Sequence, residues 1–570
     1  MSGTEDWFLD SLRGRTNSAG AWAVAVSTGW TTLVTAIFLL VQAPTEGLMG
    51  MLLTCLSRLT SSDSFFYLVI LAVLVVFWTK LQAKYASVIP CVAKSVVWTL
   101  AQTFRPEILI SFLQFIGFGF CSSWLLLQIV AAPFSNLTAP CKEIDSSFCY
   151  NKVHIFLLFA GVFSGLVEAI VFHFKNGNYT SIPIIGLDRF SQFKIKLDSN
   201  LMRLCLDSFY TLRVYYPLYL VISVLFGGIF RPAGLGYLEL LSPTLVAHCW
   251  LVVLYVKVLR FTISSWVSVN LTQPVHLELA NLLEGVGSTN LLLSTLLLQN
   301  LVDQVAEKPD IRREVFSLSL PGGHPHTWNS ILSLCHRHIV SMKDDLNSLL
   351  SPAPPAPAKE IGPIEPPPPP QIELLSPNIR RLAPTSARQV VPVLPIPPSL
   401  PGRINQFCES VLDSLKRRPL VGWLVNQAPD VPFRVVFTRS QLVIFCVEIL
   451  SFLVSASIKE DSSSQVGTYI NLERFIKHGR YGVVQKDLPY ILTNLLLLEQ
   501  NIDRCRGHGV PYYRKKSADI PDVHLKHELK SAVKSAIFRI VVEFKEHILN
   551  VPLPADLSQK IKNYQQFLEA

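Results

Sequence analysis

The residues best suited to chemistry are four histidines and a cysteine in one short stretch: His324, His326, Cys335, His336 and His338. Imidazole and thiolate groups are common zinc ligands, so this cluster raises the hypothesis of a metal site. Structural zinc sites usually pair C-x2-C with H-x3–5-H, and no spacing here matches that pattern. His336 and His338 also lie on different sides of a helix. We therefore predict a folded turn with solvated histidines and no metal site.

A second candidate is an acidic residue inside an apolar segment. Glu168 lies within Val153–Phe172, and His154 and His248 are the other ionisable residues within such segments. Ionisable residues inside a membrane are costly and are common in pumps and channels. Glu168 could begin an ion path, although a carboxylate that pairs with a neighbouring helix is the commoner arrangement. A multi-span transporter with a regulatory cytosolic region is therefore the alternative function.

The known catalytic motifs are missing from the sequence. It has no G-x-S-x-G, no P-loop, no H-E-x-x-H and no G-x-G-x-x-G. No motif surrounds Cys408, Cys446 or Cys505. We predict that the chain is not an enzyme and binds neither a cofactor nor a small-molecule substrate.

The composition indicates a membrane protein. Of 570 residues, 50% are hydrophobic and 16% charged, and the mean hydropathy is +0.37. Soluble domains carry about 25% charged residues. The net charge of +9 is too small to imply nucleic-acid binding by itself.

Six apolar segments predict helices that cross the roughly 30 Å of hydrocarbon in a bilayer. They are Ala21–Val41, Ser64–Thr79, Ile108–Ala132, Val153–Phe172, Val214–Phe230 and Leu240–Val256. The shorter Leu48–Leu56 and Ile263–Leu271 are predicted to be interfacial. Leu442–Ile458 is nearly long enough to span, but Glu448 lies at its centre, so we predict a buried helix.

Lys and Arg in the short loops predict the orientation, because cytosolic loops are enriched in them. Twelve lie on the side that includes the N-terminus and four on the other side, which predicts that both termini are on the cytosolic side. The third loop is then lumenal. There Cys141 and Cys149 could form a disulfide in an oxidising compartment, and Asn136 lies in a glycosylation sequon.

The C-terminal half is predicted to consist of helices before and after an insert. Seventeen of the 38 prolines fall in Ser351–Pro401, which predicts a disordered, semi-stiff spacer. Arg403–Arg418 predicts an amphipathic helix that docks either on the membrane or on the soluble region. Its candidate membrane-contact residues are Ile404, Phe407, Val411, Leu412, Leu415, Lys416, Arg417 and Arg418.

These patterns predict an all-α fold, with a six-span membrane domain followed by a cytosolic helical domain that a Pro-rich disordered insert interrupts. The predicted boundaries are a cytosolic tail at 1–20, the spans at 21–260, a helical region at 261–350, the linker at 351–401 and a helical domain at 402–570. The helical region should end in Trp328–Leu350, N-capped by Thr327, with Ile331, Leu334, Cys335, His338 or Ile339, and Met342 on its core face.

Two strings resemble the Nuclear division cycle family of multi-span transmembrane nucleoporins. One is Arg312–Trp328, with the pattern R-R-x-V-F-S-L-S-x-P-G-G-H-P-H-x-W, and the other is Tyr481–Gln485 followed by Leu488-Pro489. The resemblance implies a non-enzymatic scaffold of the nuclear pore membrane ring, which anchors nucleoporins, supports pore assembly and serves nucleocytoplasmic transport. The implied partners are Aladin, the RRM-bearing membrane-associated linker nucleoporin and other pore membrane proteins, besides the lipid bilayer. Homo-oligomer formation stays open.

Candidate partner-binding residues are taken from these two strings. They are Arg312, Arg313, Phe316, Pro321, Gly322, Gly323, His324, His326, Trp328, Tyr481 and Gly482.

Overall fold

A computed structural model describes most of the chain. The described residues are 2–42, 53, 56–58, 60–130, 134–140, 148–183, 188–225, 240–274, 279–286, 291–317, 326–350, 430–460, 483–505 and 521–569. The predicted amphipathic helix Arg403–Arg418, the Pro-rich linker and most of Leu48–Leu56 lie outside these residues.

The N-terminal half consists of long helices. They are α1 (Ser2–Gln42), α2 (Ser62–Tyr85), α3 (Val96–Thr103), α4 (Pro106–Val130), α5 (Lys152–Phe174), α6 (Arg189–Leu225) and α7 (Pro243–Leu271). A short antiparallel strand pair, β1 (Thr138–Pro140) and β2 (Phe148–Tyr150), joins α4 to α5 with Ala139 opposite Cys149. The fold is otherwise helical in the described residues, so the predicted all-α class is confirmed.

Several predicted boundaries change. The polar tail 2–20 is the first half of α1, and residues 189–213, predicted as part of a loop, are the first 25 residues of α6. Ile263–Leu271 is not a separate segment, because it completes α7 and its Trp266 is buried between Trp22 and Phe193. Hydropathy alone missed these extensions because polar residues on one face of a helix lower the average.

The C-terminal half consists of shorter helices. They are α8 (Leu279–Val286), α9 (Leu291–Glu307), α10 (Pro309–Phe316), α11 (His326–Leu350), α12 (Val431–Phe437), α13 (Ser440–Glu460), α14 (Val483–Arg504), α15 (Pro521–Phe544), the 3-10 helix Lys545–Asn550 and α16 (Ala555–Glu569). The helix predicted from Trp328 begins at His326, so Thr327 lies in its first turn and is not the N-cap.

Two hydrophobic clusters form the core. One lies among α1, α2, α4, α5, α6 and α7, and includes Phe38, Trp78, Phe156 and Trp266. The other lies among α8 to α16 and includes Phe316, Trp328, Phe445 and Leu495. On the predicted core face of α11, Ile339 is buried and His338 only half-buried, while Leu334 is half-buried as well.

Six described helices are long and apolar enough to cross a membrane, and five of them contain predicted spans: α1, α2, α4, α5 and α7. The sixth is α13, whose apolar stretch is 83% buried against other helices. This burial agrees with the buried helix predicted for Leu442–Ile458. The remaining predicted span, Val214–Phe230, is described only as far as Leu225, at the end of α6, and its crossing stays a prediction.

Candidate partner surface and membrane junction

The signature string Arg312–Trp328 begins with an arginine that holds three helices together. The Arg312 guanidinium donates to both carboxylate oxygens of Glu460, at 2.8 and 2.7 Å, and to the carbonyls of Val305 and Ala306. These hydrogen bonds to Glu460 raise the pKa of Arg312. A cation is favourable here, because Val305, Ala306 and Glu460 lie in the last turns of α9 and α13, where helix carbonyls carry partial negative charge.

The two aromatic residues of this string lie in the core. Phe316 and Trp328 are both fully buried, with ring centroids 6.3 Å apart. The indole nitrogen Nε1 of Trp328 donates to Oδ2 of Asp487 in α14 at 2.9 Å, which satisfies the buried donor. These side chains therefore join α10, α11 and α14 and are not at the protein surface.

Two of the described partner candidates are exposed. The Arg313 side chain is 67% exposed, 3.6 Å from Asp310, and His326 is exposed at the start of α11. Pro321, Gly322, Gly323, His324, Tyr481 and Gly482 lie outside the described residues. The same is true of Cys141, and of the candidate membrane-contact residues Ile404, Phe407, Val411, Leu412, Leu415, Lys416, Arg417 and Arg418. The disulfide and both surfaces thus stay predictions.

The histidine and cysteine cluster is spread over α11. Cys335 is fully buried, and His336 hydrogen-bonds the Tyr490 hydroxyl, with ring centroids 4.4 Å apart. His338 borders a cavity of about 240 Å³ beside Arg439 and Asp345. Partial burial lowers the pKa of both His336 and His338, so neither is freely solvated. Over the described part of the chain, no three such side chains are placed to hold a metal ion.

A junction that the sequence did not reveal connects the two halves. The Arg15 guanidinium of α1 donates to the carbonyls of Leu271, Gln273 and Pro274 at 3.3, 2.6 and 3.0 Å. These carbonyls lie at and just beyond the C-terminus of α7, where helix carbonyls lack intrahelical partners. The start of α1 is thereby fixed to the chain that leads into the C-terminal helices.

The connection between α5 and α6 is held by two glutamines of the C-terminal half. Gln441 Nε2 donates to the Ile182 carbonyl and Gln299 Nε2 to the Pro183 carbonyl, each at 2.9 Å. Ile182 itself is buried in the C-terminal core, together with Phe8 of α1 and Val88 from the segment after α2. Three separate segments of the N-terminal half therefore pack into the C-terminal core.

Glu168 lies in a buried ionic cluster. Its carboxylate accepts a hydrogen bond from Lys257 Nζ at 2.7 Å and forms an ion pair with Arg260, both from α7. The side chains of Glu168, Lys257 and Arg260 are 6, 4 and 12% exposed. Both cations lie beyond Val256, where the predicted last span ends, although their i, i+3 spacing places them on one helix face. Paired in this way, Glu168 joins α5 to α7.

Comparisons with known proteins match one family along most of the chain. The family model described as "Nucleoporin protein Ndc1-Nup" matches residues 10–471 and 476–562. The protein named Nucleoporin NDC1 of Danio rerio is 25% identical over 96% of this chain and 98% of its own length. Those of Mus musculus and Homo sapiens are 24 and 23% identical, over 89 and 90% of this chain and 90 and 91% of their own lengths.

Proposed function

This chain belongs to the Ndc1-Nup family of nucleoporins, and we propose that it is an anchor that holds other nucleoporins at the pore membrane and supports pore assembly. The family accounts for the coarser features: a multi-pass protein of the nuclear pore membrane that is a structural component and not an enzyme. The anchoring role, the named partners and the orientation are our proposals.

The junction between the two halves carries the proposal. Gln299 and Gln441 of the C-terminal helices bond the backbone carbonyls of Pro183 and Ile182, and Phe8, Val88 and Ile182 are buried in the C-terminal core. Arg15 fixes the start of α1 to the chain that leads out of α7. A rigid, multi-point connection transmits force between bilayer and bound partners, as an anchor requires. A flexible linker would leave a recruited partner free to move.

The lipid-facing surface supports the same proposal. Large apolar side chains are exposed along α2 and α4, including Phe65, Phe77, Leu109 and Leu113. Beyond Leu271, the only large apolar side chains exposed in the described residues are Tyr490, Phe538 and Leu549. The extent of exposed apolar surface in the N-terminal half indicates contact with lipid. The few exposed apolar side chains among the described residues of the C-terminal half are typical of a surface in water.

The geometry also supports our proposed orientation, with both termini on the cytosolic or nucleoplasmic side. Phe8 and Arg15 lie at the end of α1 that contacts the C-terminal half. Phe38 lies 23 residues after Arg15, which is about 35 Å further along the helix. It contacts Phe134 and His248 at ring-centroid distances of 5.1 and 4.2 Å. The start of α1 and the β1–β2 hairpin are thus separated by about the thickness of the hydrocarbon, which supports our proposal that the hairpin lies on the opposite, lumenal side.

Epitope accessibility tests this orientation. Tags at Met1 and Ala570 should both bind antibody after the plasma membrane alone is permeabilised, whereas a tag near Asp145 should not. A protected C-terminal tag would show that α13 crosses the bilayer and would overturn the proposed topology.

Partner recruitment tests the anchor itself. We propose that Aladin, the RRM-bearing linker nucleoporin and other pore membrane proteins bind the C-terminal half, at a surface that includes Arg313 and His326. The full chain with Arg313→Glu and His326→Glu should lose co-purification of Aladin but keep its place at the nuclear rim. Arg337→Glu, on an exposed position of α11, is the matched control. If the wild type, the double variant and the Arg337→Glu control co-purify equal amounts of Aladin, this surface is not its binding site.

A further inference from the structure

Helix α6 runs antiparallel to α7 over its first 25 residues, 189–213. Phe193 stacks on Trp266 and Phe209 on Trp250, with ring centroids 4.7 and 4.9 Å apart. The two contacts are 16 residues apart in each helix, which is about 24 Å along both. Because α7 is long and apolar enough to cross a membrane, this part of α6 lies beside it at the depth of the bilayer.

The far end of this stretch lies near the start of α5. Tyr215 Oη donates a hydrogen bond to the carbonyl of Phe156, in the second turn of α5, at 2.7 Å. In our proposed orientation this is the lumenal end of α5. On this geometry, the part of α6 within the bilayer is Phe193–Tyr215, which precedes most of the predicted span Val214–Phe230.

One face of this part of α6 packs inward, and the opposite face is exposed. The buried side chains are Phe193, Ser208, Thr211, Leu212 and Tyr215. The exposed face carries a row of residues separated alternately by four and three positions: Ile195, Ser199, Met202, Leu206 and Phe209. The four large apolar side chains of this row are 51 to 72% exposed. We call this row the α6 seam.

The spacing of the α6 seam is that of a coiled coil. Residues alternately three and four positions apart form the a and d positions of a heptad, along which two helices pack at a crossing angle of about 20°. Most helix pairs in membranes pack in this way, and small residues such as Ser199 allow close approach. Lipid also covers apolar rows, so the charged residues beside this row decide between lipid and protein.

Charged side chains flank the seam far from either end of the bilayer. Arg203 lies about 15 Å along the helix from Phe193, near the middle of the stretch that ends at Tyr215. Its Nε is 3.9 Å from the Asp207 carboxylate, and these two side chains are 56 and 51% exposed. Asp198 is exposed on the other side of the seam. Charged side chains at this depth are costly in lipid and normally face the interior of a bundle, so they indicate a protein partner.

The positions of Asp198 and Arg203 fit a second copy of this chain. Two copies inserted in the same orientation bring their α6 helices together in parallel. With Met202 at a d position, Asp198 takes a g position and Arg203 takes the e position five residues later. In a parallel pair, this g residue lies opposite the e residue of the other helix, and opposite charges at these positions select the partner. Two-fold symmetry forms the contact twice.

We propose that two copies of this chain associate in the membrane along the α6 seam, with Asp198 of each copy paired to Arg203 of the other. Ile195, Met202 and Leu206 then pack against their counterparts. The seam ends before Arg213, the next position in the series, which lies close to the lumenal headgroups. This inference goes beyond the proposed anchor and shares with it only the membrane placement of the N-terminal helices.

Complementary charge variants of the full-length protein test the pairing by co-purification of two differently tagged copies. Two copies that both carry Asp198→Arg, or both Arg203→Asp, should associate about tenfold less than the wild type, because like charges would face each other at both contacts. One copy with Asp198→Arg and one with Arg203→Asp should associate like the wild type, because opposite charges are then restored at both contacts. Lys194→Glu changes an exposed charge of α6 away from the seam and is the control.

Recovery in the mixed pair also shows that both variants fold. Unchanged association of either variant with itself, or no recovery in the mixed pair, overturns the pairing. A wild type that reaches the nuclear rim as a monomer overturns the inference and leaves the proposed anchor intact, whereas a wild type absent from the rim contradicts the anchor.

A photocrosslinking amino acid identifies what covers the seam in native membranes. At Met202 it should give an adduct that contains both tags. At Phe190, which is 60% exposed on a different face of α6, it should not. Adducts at Met202 that contain only lipid or only another protein overturn a second copy as the occupant.

Discussion

Helices α2 and α13 are alike in composition and opposite in environment. Their apolar stretches have mean hydropathies of 2.2 and 2.1, yet 28% of the first and 83% of the second is buried in the protein. Helix α2 exposes Phe65, Phe66 and Phe77, whereas α13 packs against α9, α11 and α15. Hydropathy measures the cost of leaving a helix in water, and either lipid or protein can remove that cost.

The same comparison holds for one acidic residue in each half. Glu168 in α5 is paired with Lys257 and Arg260. Glu448 in α13 is paired with Arg539 at 2.8 Å, and the Arg539 side chain is 30% exposed. Both glutamates sit within apolar helices, but the cations around Glu168 have no route to water comparable to that of Arg539. The two sites should therefore differ in how much they tolerate loss of the carboxylate.

The largest effect is expected for Glu168→Gln. The substitution leaves Lys257 and Arg260 buried without a counter-charge, and breaking a buried pair costs about 3–5 kcal/mol. Thermal unfolding in detergent should show a large fall in melting temperature, with hydrogen exchange increased first in α5 and α7. The double variant Glu168→Gln with Lys257→Met removes one of the two cations and should recover part of the loss.

The same variant bears on the transporter alternative. A stable Glu168→Gln protein that loses ion flux in vesicles while keeping its fold would favour transport over a structural ion cluster. Unchanged exchange in α5 and α7 would contradict the structural role.

The close contact between α4 and α5 gives the next largest effect. A Cβ atom at Gly161 would overlap the Ser123 side chain and lie 2.8 Å from the Gly119 carbonyl oxygen. Overpacking of this kind costs about 1–3 kcal/mol, so Gly161→Ala should lower the melting temperature. Gly117→Ala on α4 is the control, because nothing lies within 4 Å of its Cβ. A helical Gly→Ala change without a clash gains up to about 1 kcal/mol, so the two variants should shift in opposite directions.

Glu448→Gln should have a smaller effect than Glu168→Gln. Arg539 also stacks on the Phe452 ring at 3.8 Å and reaches solvent, so it keeps favourable surroundings after the carboxylate is lost. We expect a loss of about 1.5 kcal/mol, typical of one hydrogen bond to a charged group. Hydrogen exchange should rise in α13 and α15 and remain unchanged in α5. A loss as large as that of Glu168→Gln would remove the distinction between the two sites.

Periodicity and apolar length were sufficient to predict most helices. In α14 and α15, apolar positions with helical spacing, such as Leu488, Leu495, Val533 and Ile540, are all buried. The buried α13 was also predicted, because Glu448 at its centre marks a helix that finds a protein partner. These are local signals, which one stretch of sequence contains in full.

Long-range contacts were not predictable in the same way. Nothing near Arg15 indicates that its partners are the carbonyls at 271–274, and nothing near Gln441 indicates Ile182. In the string Arg312–Trp328, the distinctive residues Arg312, Phe316 and Trp328 are held by Glu460, the core and Asp487. A residue pattern that identifies a family can thus reflect packing as readily as partner binding.

The smallest expected effect is a pH dependence of stability in the C-terminal half. Burial lowers the pKa of His336 and His338 in α11, with Lys343 and Arg337 adding to the effect and Asp344 opposing it at His336. The unfolded chain therefore takes up protons at a higher pH than the folded chain does. The contribution of these two histidines to stability is complete above the pKa of histidine in the unfolded chain, near 6.5, and is lost as the pH falls toward the lowered pKa values of the folded chain.

Between pH 7.5 and 5.5, the wild type should lose more protection in α11 and α14 than the variant with His336→Gln and His338→Gln. The control His527→Gln changes an exposed histidine of α15 and should behave as wild type. Hydrogen exchange at the two pH values, corrected for the intrinsic rate, measures the difference, and equal losses in wild type and double variant would exclude these histidines as its source.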